Sequence, residues 1–479
     1  MKARCLCLAL AALWLGACAV GPDYERPAAS LPDYFRGQPA GQDNRSLAQL
    51  KWWELFQDRE LQAILREALA NNHDLRLAAA QLLEARAQAR SAGADLFPSV
   101  GGYGTTQPKP FSSDSPAGST YMLGLQMAWE LDFFGRLRRS SEAAQARMLA
   151  SEEGRRAVVT SLVRDVAQAW FDLRALDEQL AITRGTVASL ESSLKLVDLM
   201  KRAGTVSRAE QLQAANQLAT TAANVHALEK NLAAQENKLC LLLGRHPGVL
   251  ARSAASAPLD LAPAIPAGLP SALLERRPDI RQAEQKLAAA TANIGAVKAG
   301  SFPFPTIGLT GFFGQTSTDL GRLLKFRDDD IPSLGPTLNW PLLDFGRGAA
   351  AVDKAEAQAQ QAAISYAKAI LQALREVADA LTGHERLTAE IAQQQTRVDT
   401  ARDMANVAAL RFRAGIVNYL EVLDAQRQLY SAEIDLSRVA WDRVKSVVEL
   451  YRALGGGWEE QVEAAPAARV AAGLARGPQ

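Results

Sequence analysis

Aromatic residues make up only 6% of the 479-residue chain, and cysteine and histidine are rarer still, at four each. Cys5, Cys7 and Cys18 crowd the amino terminus, and His73, His226, His246 and His384 stand far apart. No CxxC, HExxH or Cys/His cluster exists, which argues against zinc. Neither a GxxxxGK(S/T) phosphate loop nor a GxSxG nucleophile elbow occurs. Gly102-Tyr103-Gly104 lacks the third glycine of a dinucleotide loop. A dominant charge is missing too. The 53 Lys and Arg face 52 Asp and Glu, a net of +1, which gives no electrostatic reason to expect nucleic acid. These absences point away from an enzyme, a resident metal or a cofactor. The densest acidic cluster, Asp328-Asp329-Asp330, has no His or Cys beside it and reads as a solvated loop.

What is present is apolar and helix-forming. Hydrophobic residues are 48% and charged residues 22%, enough for a large core and too apolar for global disorder. Ala, Leu, Gln, Glu and Arg dominate, which favours long helices.

The amino terminus is an address. Lys2 and Arg4 form a basic region, Leu6 to Leu15 an apolar one, and Leu15-Gly16-Ala17-Cys18 follows. Small residues before a cysteine suit a lipoprotein signal peptidase, so the mature chain is expected to begin at an acylated Cys18. The competing reading, an uncleaved membrane helix, is cut short by Gly21-Pro22. Ala19, rather than Asp, follows the cysteine, which in bacterial sorting permits passage to the outer membrane. Cys240, between Leu239 and Leu241-Leu242, reads as a small buried hydrophobe.

The rest is duplicated. Trp129 to Arg136 aligns with Trp340 to Arg347, Arg202-Ala203-Gly204 with Arg413-Ala414-Gly415, and Leu243-Gly244 with Leu454-Gly455, all at an offset of 211. Upstream, Asp74-Leu75-Arg76 matches Asp279-Ile280-Arg281 and Phe97-Pro98 matches Phe302-Pro303 at an offset of 205. This period is far longer than that of ordinary solenoids and implies two copies of one large unit.

Each copy reads helix, two strands, long helix, turn, long helix. The first helix is expected near Leu61 to Leu96, broken at Asn71-Asn72, and near Ser271 to Ala299. Tyr121, Leu123, Leu125, Met127, Trp129 and Leu131 alternate with Met122, Gly124, Gln126, Ala128 and Glu130, the period of a half-buried strand. Ser99 to Gln107 is a Gly-rich strand candidate. Ile307, Leu309, Gly311 and Phe313 share a face of a third strand, and Leu334, Leu338, Trp340 and Leu342 a face of a fourth. Pro108 to Ser119 and Thr316 to Pro332 read as loops. No proline interrupts Ser141 to Arg202 or Ala349 to Arg413, so each supports a helix of ~90 Å. The return helices carry heptad seams: Leu218, Thr221, Val225, Leu228, Leu232, Gln235, Leu239, Leu242, and Tyr430, Ile434, Ser437, Trp441, Val444, Val448, Tyr451.

Four strands of about ten residues suit a bilayer crossing in β form but cannot close a barrel alone. Two chains would give eight strands and a filled interior; three would give twelve and an aqueous lumen. The apolar faces would then meet lipid, and the Gly, Thr and Gln faces would line water. The alternative is a periplasmic coiled-coil lipoprotein acting as adaptor or scaffold without a pore.

Four segments resemble the TolC-type outer-membrane efflux lipoproteins of resistance-nodulation-division pumps, the NodT-like outer membrane factors. They are Cys18-Ala19-Val20-Gly21-Pro22-Asp23-Tyr24-Glu25-Arg26-Pro27, Trp52-Trp53 with Phe56, Glu275-Arg276-Arg277-Pro278-Asp279-Ile280-Arg281, and Tyr419-Leu420-Glu421-Val422-Leu423-Asp424-Ala425-Gln426-Arg427. The resemblance implies a mixed α and β fold: long coiled-coil hairpins in a trimeric α-barrel, continuous with a twelve-stranded transmembrane β-barrel. It implies a passive homotrimeric duct, anchored in outer-membrane lipid and reaching far into the periplasm. Its partners would be a periplasmic membrane-fusion adaptor and an inner-membrane transporter. The only attached group would be the lipid on Cys18.

The expected divisions are a signal peptide (1–17), a lipidated segment (18–60), a first repeat (61–244), a Pro-rich equatorial linker (245–270), a second repeat (271–457) and a weakly ordered tail (458–479). By the same resemblance Arg202, Ala203, Gly204 and Thr205, with Arg413, Ala414, Gly415 and Ile416, form the tips where adaptor hairpins dock. Leu420, Asp424 and Arg427 match the periplasmic gate. Their i, i+4, i+7 spacing puts them on one helix face. Asp424 would form a cation-selective ring in the trimer, and Arg427 would pair within or between subunits. At the position 211 earlier than Asp424 the first copy has Gln213. The copies are therefore expected to gate differently.

Overall fold

A computed structural model describes residues 19–37, 46–109, 118–253, 268, 270–322 and 331–458. Cys18 and the leader before it, Asp328-Asp329-Asp330, most of the proline-rich linker and the tail beyond Trp458 lie outside them.

The elements in chain order are α1 (Trp52–Leu55), α2 (Arg59–Asn71), α3 (His73–Ala94), β1 (Ser99–Lys109), β2 (Gly118–Leu131), α4 (Arg136–Arg202), α5 (Arg208–Leu242), α6 (Ala272–Arg276), α7 (Pro278–Ala299), β3 (Thr306–Ser317), β4 (Ile331–Asn339), α8 (Arg347–Arg413) and α9 (Tyr419–Ala453). The helix ends repeat at the offset read from the sequence. α4 and α8 have 67 residues each, α5 and α9 have 35 each, and every boundary in the second copy stands 211 later. At 1.5 Å per residue a 67-residue helix is ~100 Å long. α3 and α7 are both 22 residues long and 205 apart.

The chain forms two compact units, each drawing on both copies. One takes Gln81–Glu153 and Ile280–Ala369 with the residues up to Ala29; the other takes Ser30–Ala80, Gly154–Asp279 and the residues from Ile370 onward.

The first unit holds a four-stranded antiparallel sheet in the order β1-β2-β3-β4. Its register gives two unlike faces. Ser99, Gln126, Thr306, Thr310, Thr337 and Asn339 fall on one; Val100, Leu125, Leu309, Phe313, Leu334 and Leu338 fall on the other. Most of that apolar face, including Val100, Leu125, Phe313, Leu334 and Leu338, is exposed. The fourth strand stops at Asn339, so Trp340 and Leu342, expected to continue it, lie beyond its end. Pro341 has no N–H to give a ladder and restricts Trp340 before it.

The turns into α4 and α8 use the same residue type at slightly different places. Asp132 accepts from the backbone N of Leu137 at 3.1 Å and of Arg138 at 2.8 Å. Asp344 accepts from the backbone N of Gly346 at 3.0 Å and of Gly348 at 2.7 Å. Each carboxylate satisfies orphan donors at a helix start. The amino-terminal strap packs on this unit. Gly21 adopts φ +101°, and a Cβ there would come within 2.4 Å of the Gly295 backbone. Asp23 pairs with Arg139 at 2.5 Å. Arg26 grips Glu284 with two hydrogen bonds, at 2.7 and 2.9 Å, and Tyr24 donates to the same carboxylate at 3.2 Å.

The second unit is helical. Its core gathers Phe56, Phe171, Tyr451 and Trp441, with ring centroids 6.1 to 6.4 Å apart from Phe56 to Phe171, Phe56 to Tyr451 and Phe171 to Trp441. Asp58 caps α2 and also accepts from Trp170 Nε1 at 3.0 Å. No residue of the expected seams is exposed; the α9 seam is buried from Ser437 to Tyr451, whereas most of the α5 seam is half-buried. α4 and α9 are linked by Trp441 Nε1 and Ser437 Oγ, both donating to Glu178 Oε2 at 2.6 and 2.8 Å, and by Lys445 on Asp172 at 2.8 Å.

The expected helix from Ser271 to Ala299 is split at Arg277, because Pro278 pushes the residue before it out of helical conformation. Arg277 uses that break. It is 3% exposed, pairs with Asp279 at 2.5 Å and Glu376 at 2.9 Å, and donates to the Ala453 carbonyl at 2.9 Å. The corresponding break in the first copy places Asn72 the same way, donating to the Leu242 carbonyl at 3.0 Å. In both copies a polar side chain at the helix break therefore satisfies the carboxyl end of the return helix. Arg277→Ala is expected to destabilise the protein by about 3 kcal/mol, the low end for breaking a buried ion pair, because Arg452 still neutralises Glu376. Thermal unfolding of the detergent-extracted protein checks this; an unchanged midpoint contradicts it.

Candidate functional site at the hairpin tips

The sequence-designated tips are two helix turns of one design. Gly204, at φ +75°, and Gly415, at φ +70°, take the left-handed conformation that ends a helix. Thr205 N donates to Met200 O at 2.9 Å, and Ile416 N donates to Arg411 O at 2.9 Å, the 6→1 bond of a Schellman motif. Arg202, Ala203, Gly204 and Thr205 are all exposed, as are Arg413, Ala414, Gly415 and Ile416. No element covers them among the described residues.

The two return helices start with different caps. Ser207 and Glu210 form a capping box: Glu210 N donates to Ser207 Oγ at 3.3 Å, and Ser207 N donates to Glu210 Oε2 at 2.7 Å. Asn418 Oδ1 accepts from Glu421 N at 3.3 Å. Glu421 occupies Glu210's place in the second copy, but its carboxylate is held by Arg411 at 2.8 Å. The first copy has Met200 in place of Arg411, which leaves Glu210 without that cation. Its Oε1 instead accepts from the backbone N of Tyr419 at 3.3 Å, tying one hairpin to the start of the other's return helix. The backbone donor at Ser207, then that of Tyr419, holds the Glu210 carboxyl below the usual range.

Beneath the turns the hairpins share a core of Val197, Ala214, Ala408, Phe412, Tyr419 and Val422. Phe412 and Tyr419 meet edge-on with centroids 5.4 Å apart. Leu420, Asp424 and Arg427 are all exposed, on the face of α9 turned away from that core. Geometry thus brings the three together as the spacing required. It does not join Asp424 to Arg427: Asp424 Oδ2 accepts from Gln428 Nε2 at 2.6 Å. Asp424 also lines a groove of about 470 Å³ between α8 and α9, with Met404, Val407, Arg411 and Glu421. Sequence reasoning missed Glu210 and this groove. Ser207-x-x-Glu210 is a capping-box signature and would have placed the carboxylate at the turn. The groove has no such local mark, since its two walls belong to different helices of the hairpin.

No helix among the described residues is long and apolar enough to cross a membrane. The chain thus carries two long helical hairpins and a four-stranded sheet with one apolar exposed face. The model of the family described as "Outer membrane efflux protein" matches residues 64–245 and again 269–456. The chain belongs to that family. It is 36% identical to the cation efflux system protein CusC of Escherichia coli O6:H1, covering 95% of this chain and 98% of CusC. It is 38% identical to the solvent efflux pump outer membrane protein SrpC of Pseudomonas putida, covering 94% and 97%. The open-state crystal structure of the Neisseria gonorrhoeae MtrE outer membrane channel superposes with a TM-score of 0.83 at 30% identity, covering 92% of this chain and 99% of that one. The family and these relatives are channel proteins rather than enzymes. This protein is accordingly an outer-membrane channel component of an efflux pump.

The Glu210 link sets a pH dependence. A carboxyl with a depressed folded pKa stabilises fully above its unfolded value and loses that stabilisation as pH falls through the folded one. Glu210→Gln is therefore expected to speed amide exchange at Ser207 and Tyr419 at neutral pH, with the difference from the parent shrinking below about pH 4. Equal exchange in parent and variant at neutral pH contradicts the link.

Proposed function

We propose that three copies close their sheets into one twelve-stranded barrel and their hairpins into one helical barrel, making a passive duct for small toxic compounds. The observation that carries this reading is the sheet itself: four strands of 9 to 14 residues, an exposed apolar face, and two open edges at β1 and β4. Strands of this length cross a bilayer, but open edges in lipid are forbidden, and twelve strands leave an aqueous lumen. Cys18, acylated, anchors each chain, and the strap from Ala19 leads from the lipid to the protein. A multi-chain anchor is firm at about 0.8 kcal/mol per buried methylene.

The exposed turns, Arg202 to Thr205 and Arg413 to Ile416, receive the hairpins of a periplasmic adaptor, which links the duct to an inner-membrane transporter. Selectivity for cargo rests with that transporter, which fits the range of efflux systems named among the relatives, cations in one and solvents in another.

Leu420, Asp424 and Arg427 form the periplasmic gate. Arg427 makes no ion pair inside the chain among the described residues, so its guanidinium is free to meet a carboxylate of a neighbouring subunit. The first copy offers Ala209, Gln213 and Asn216 at the same places and carries no charge there, so the gate charges come from the second copy alone. Asp424→Ala combined with Arg427→Ala is expected to raise single-channel conductance in planar bilayers. An unchanged closed level overturns the gate role, and the absence of any channel from parent and variant overturns the duct.

A further inference from the structure

The small-residue face of the sheet carries a feature that a plain water-filled duct does not use. Register places Ser99, Ala128, Thr310 and Gly335 in one row across the four strands. The next row on that face is Gly101, Gln126, Phe312 and Ser333, and the one after it includes Tyr103, Gly124 and Gly314. Two aromatic side chains thus stand among mostly small and polar ones.

The two rings meet. Tyr103 on β1 and Phe312 on β3 have centroids 6.1 Å apart and planes at 84°, an edge-to-face pair reaching across β2. Glycine makes the contact possible. Gly124 and Gly314 face each other on β2 and β3, and a Cβ on either would come within 2.9 or 2.8 Å of Phe312 Cζ. The Phe312 ring therefore leans over a pair of positions stripped of side chains. Tyr103 is 37% exposed, so its ring remains open to a second partner. Phe313, one residue along, lies on the opposite, apolar face and is 56% exposed, as a lipid-facing side chain would be.

We propose that Tyr103 and Phe312 form an aromatic contact site in the duct lining that holds aromatic organic cations in passage. The inference rests on reading the Gly, Ser and Thr face as the water side. An edge-to-face pair presents an electron-rich ring face, which attracts cations and stacks with flat rings. Closure of three chains repeats the site three times around one lumen. Each contact is half-open and weak, as passage requires, since cargo must leave as readily as it enters.

The test uses the full-length protein in lipid nanodiscs, titrated with the planar aromatic cation ethidium and followed by fluorescence anisotropy, with empty nanodiscs subtracted. Saturable binding is expected, displaced by tetraphenylphosphonium but not by tetrabutylammonium, which carries the same charge without rings. Phe312→Leu is expected to weaken binding several-fold while Phe313→Leu leaves it unchanged. Tyr103→Leu, at the more exposed position, gives the same loss if the Phe312 variant fails to assemble. No saturable binding, equal displacement by tetrabutylammonium, or full binding by both Phe312→Leu and Tyr103→Leu overturns the site and leaves the duct standing. Loss in Phe313→Leu with none in Phe312→Leu shows the faces reversed and overturns the water-side reading as well.

Discussion

A β-strand placed in lipid must pair every backbone donor and acceptor, because no water is present to do so. In this chain β2 and β3 are paired on both sides, whereas β1 and β4 each leave one edge open. Among the described residues no other strand pairs with those edges. Assembly is thus a requirement of the backbone. Twelve strands from three chains meet it while leaving room for water. The apolar exposed face and the small polar face follow from the same arrangement, since strict alternation along a strand sends one to lipid and the other to the lumen.

The duplication explains how one sequence builds two like hairpins with unlike tips. In the two copies α3 matches α7, α4 matches α8 and α5 matches α9 in length to the residue, and the polar side chains Asn72 and Arg277 perform one capping task at equivalent breaks. The turns themselves match, but the contacts beside them differ. Arg411 holds Glu421 in one hairpin, while Met200 leaves Glu210 to reach the other hairpin. Asp424 and Arg427 have neutral counterparts. Repeated architecture and unequal tips are therefore separable properties of the same two copies.

Much of this was legible in the residues because the signals are local and periodic. The absence of proline defined both long helices, and the Arg-Ala-Gly turns marked their ends. Alternation located the strands, and no residue of the heptad seams is exposed. Two misreadings came from prolines acting one residue upstream: Pro278 breaks the helix at Arg277, and Pro341 keeps Trp340 out of the fourth strand. The two loops were also drawn too wide, since Lys109, Gly118, Ser317 and Ile331 belong to strands. What the residues did not disclose depends on partners distant in the chain. The reach of Glu210 to Tyr419 spans 209 positions, and no local pattern encodes it. Asp424 and Arg427 share a face, yet Gln428, one turn beyond Asp424, takes its carboxylate instead. Helical spacing shows which side chains can meet; it does not decide which partner wins.

The account depends most directly on the number of chains that close the barrel. Native mass spectrometry of the full-length protein, released from detergent micelles, counts them. A dominant species of three lipidated chains is the predicted result. A monomer or dimer as the sole species would leave the strand edges unpaired or the lumen filled, and would contradict it.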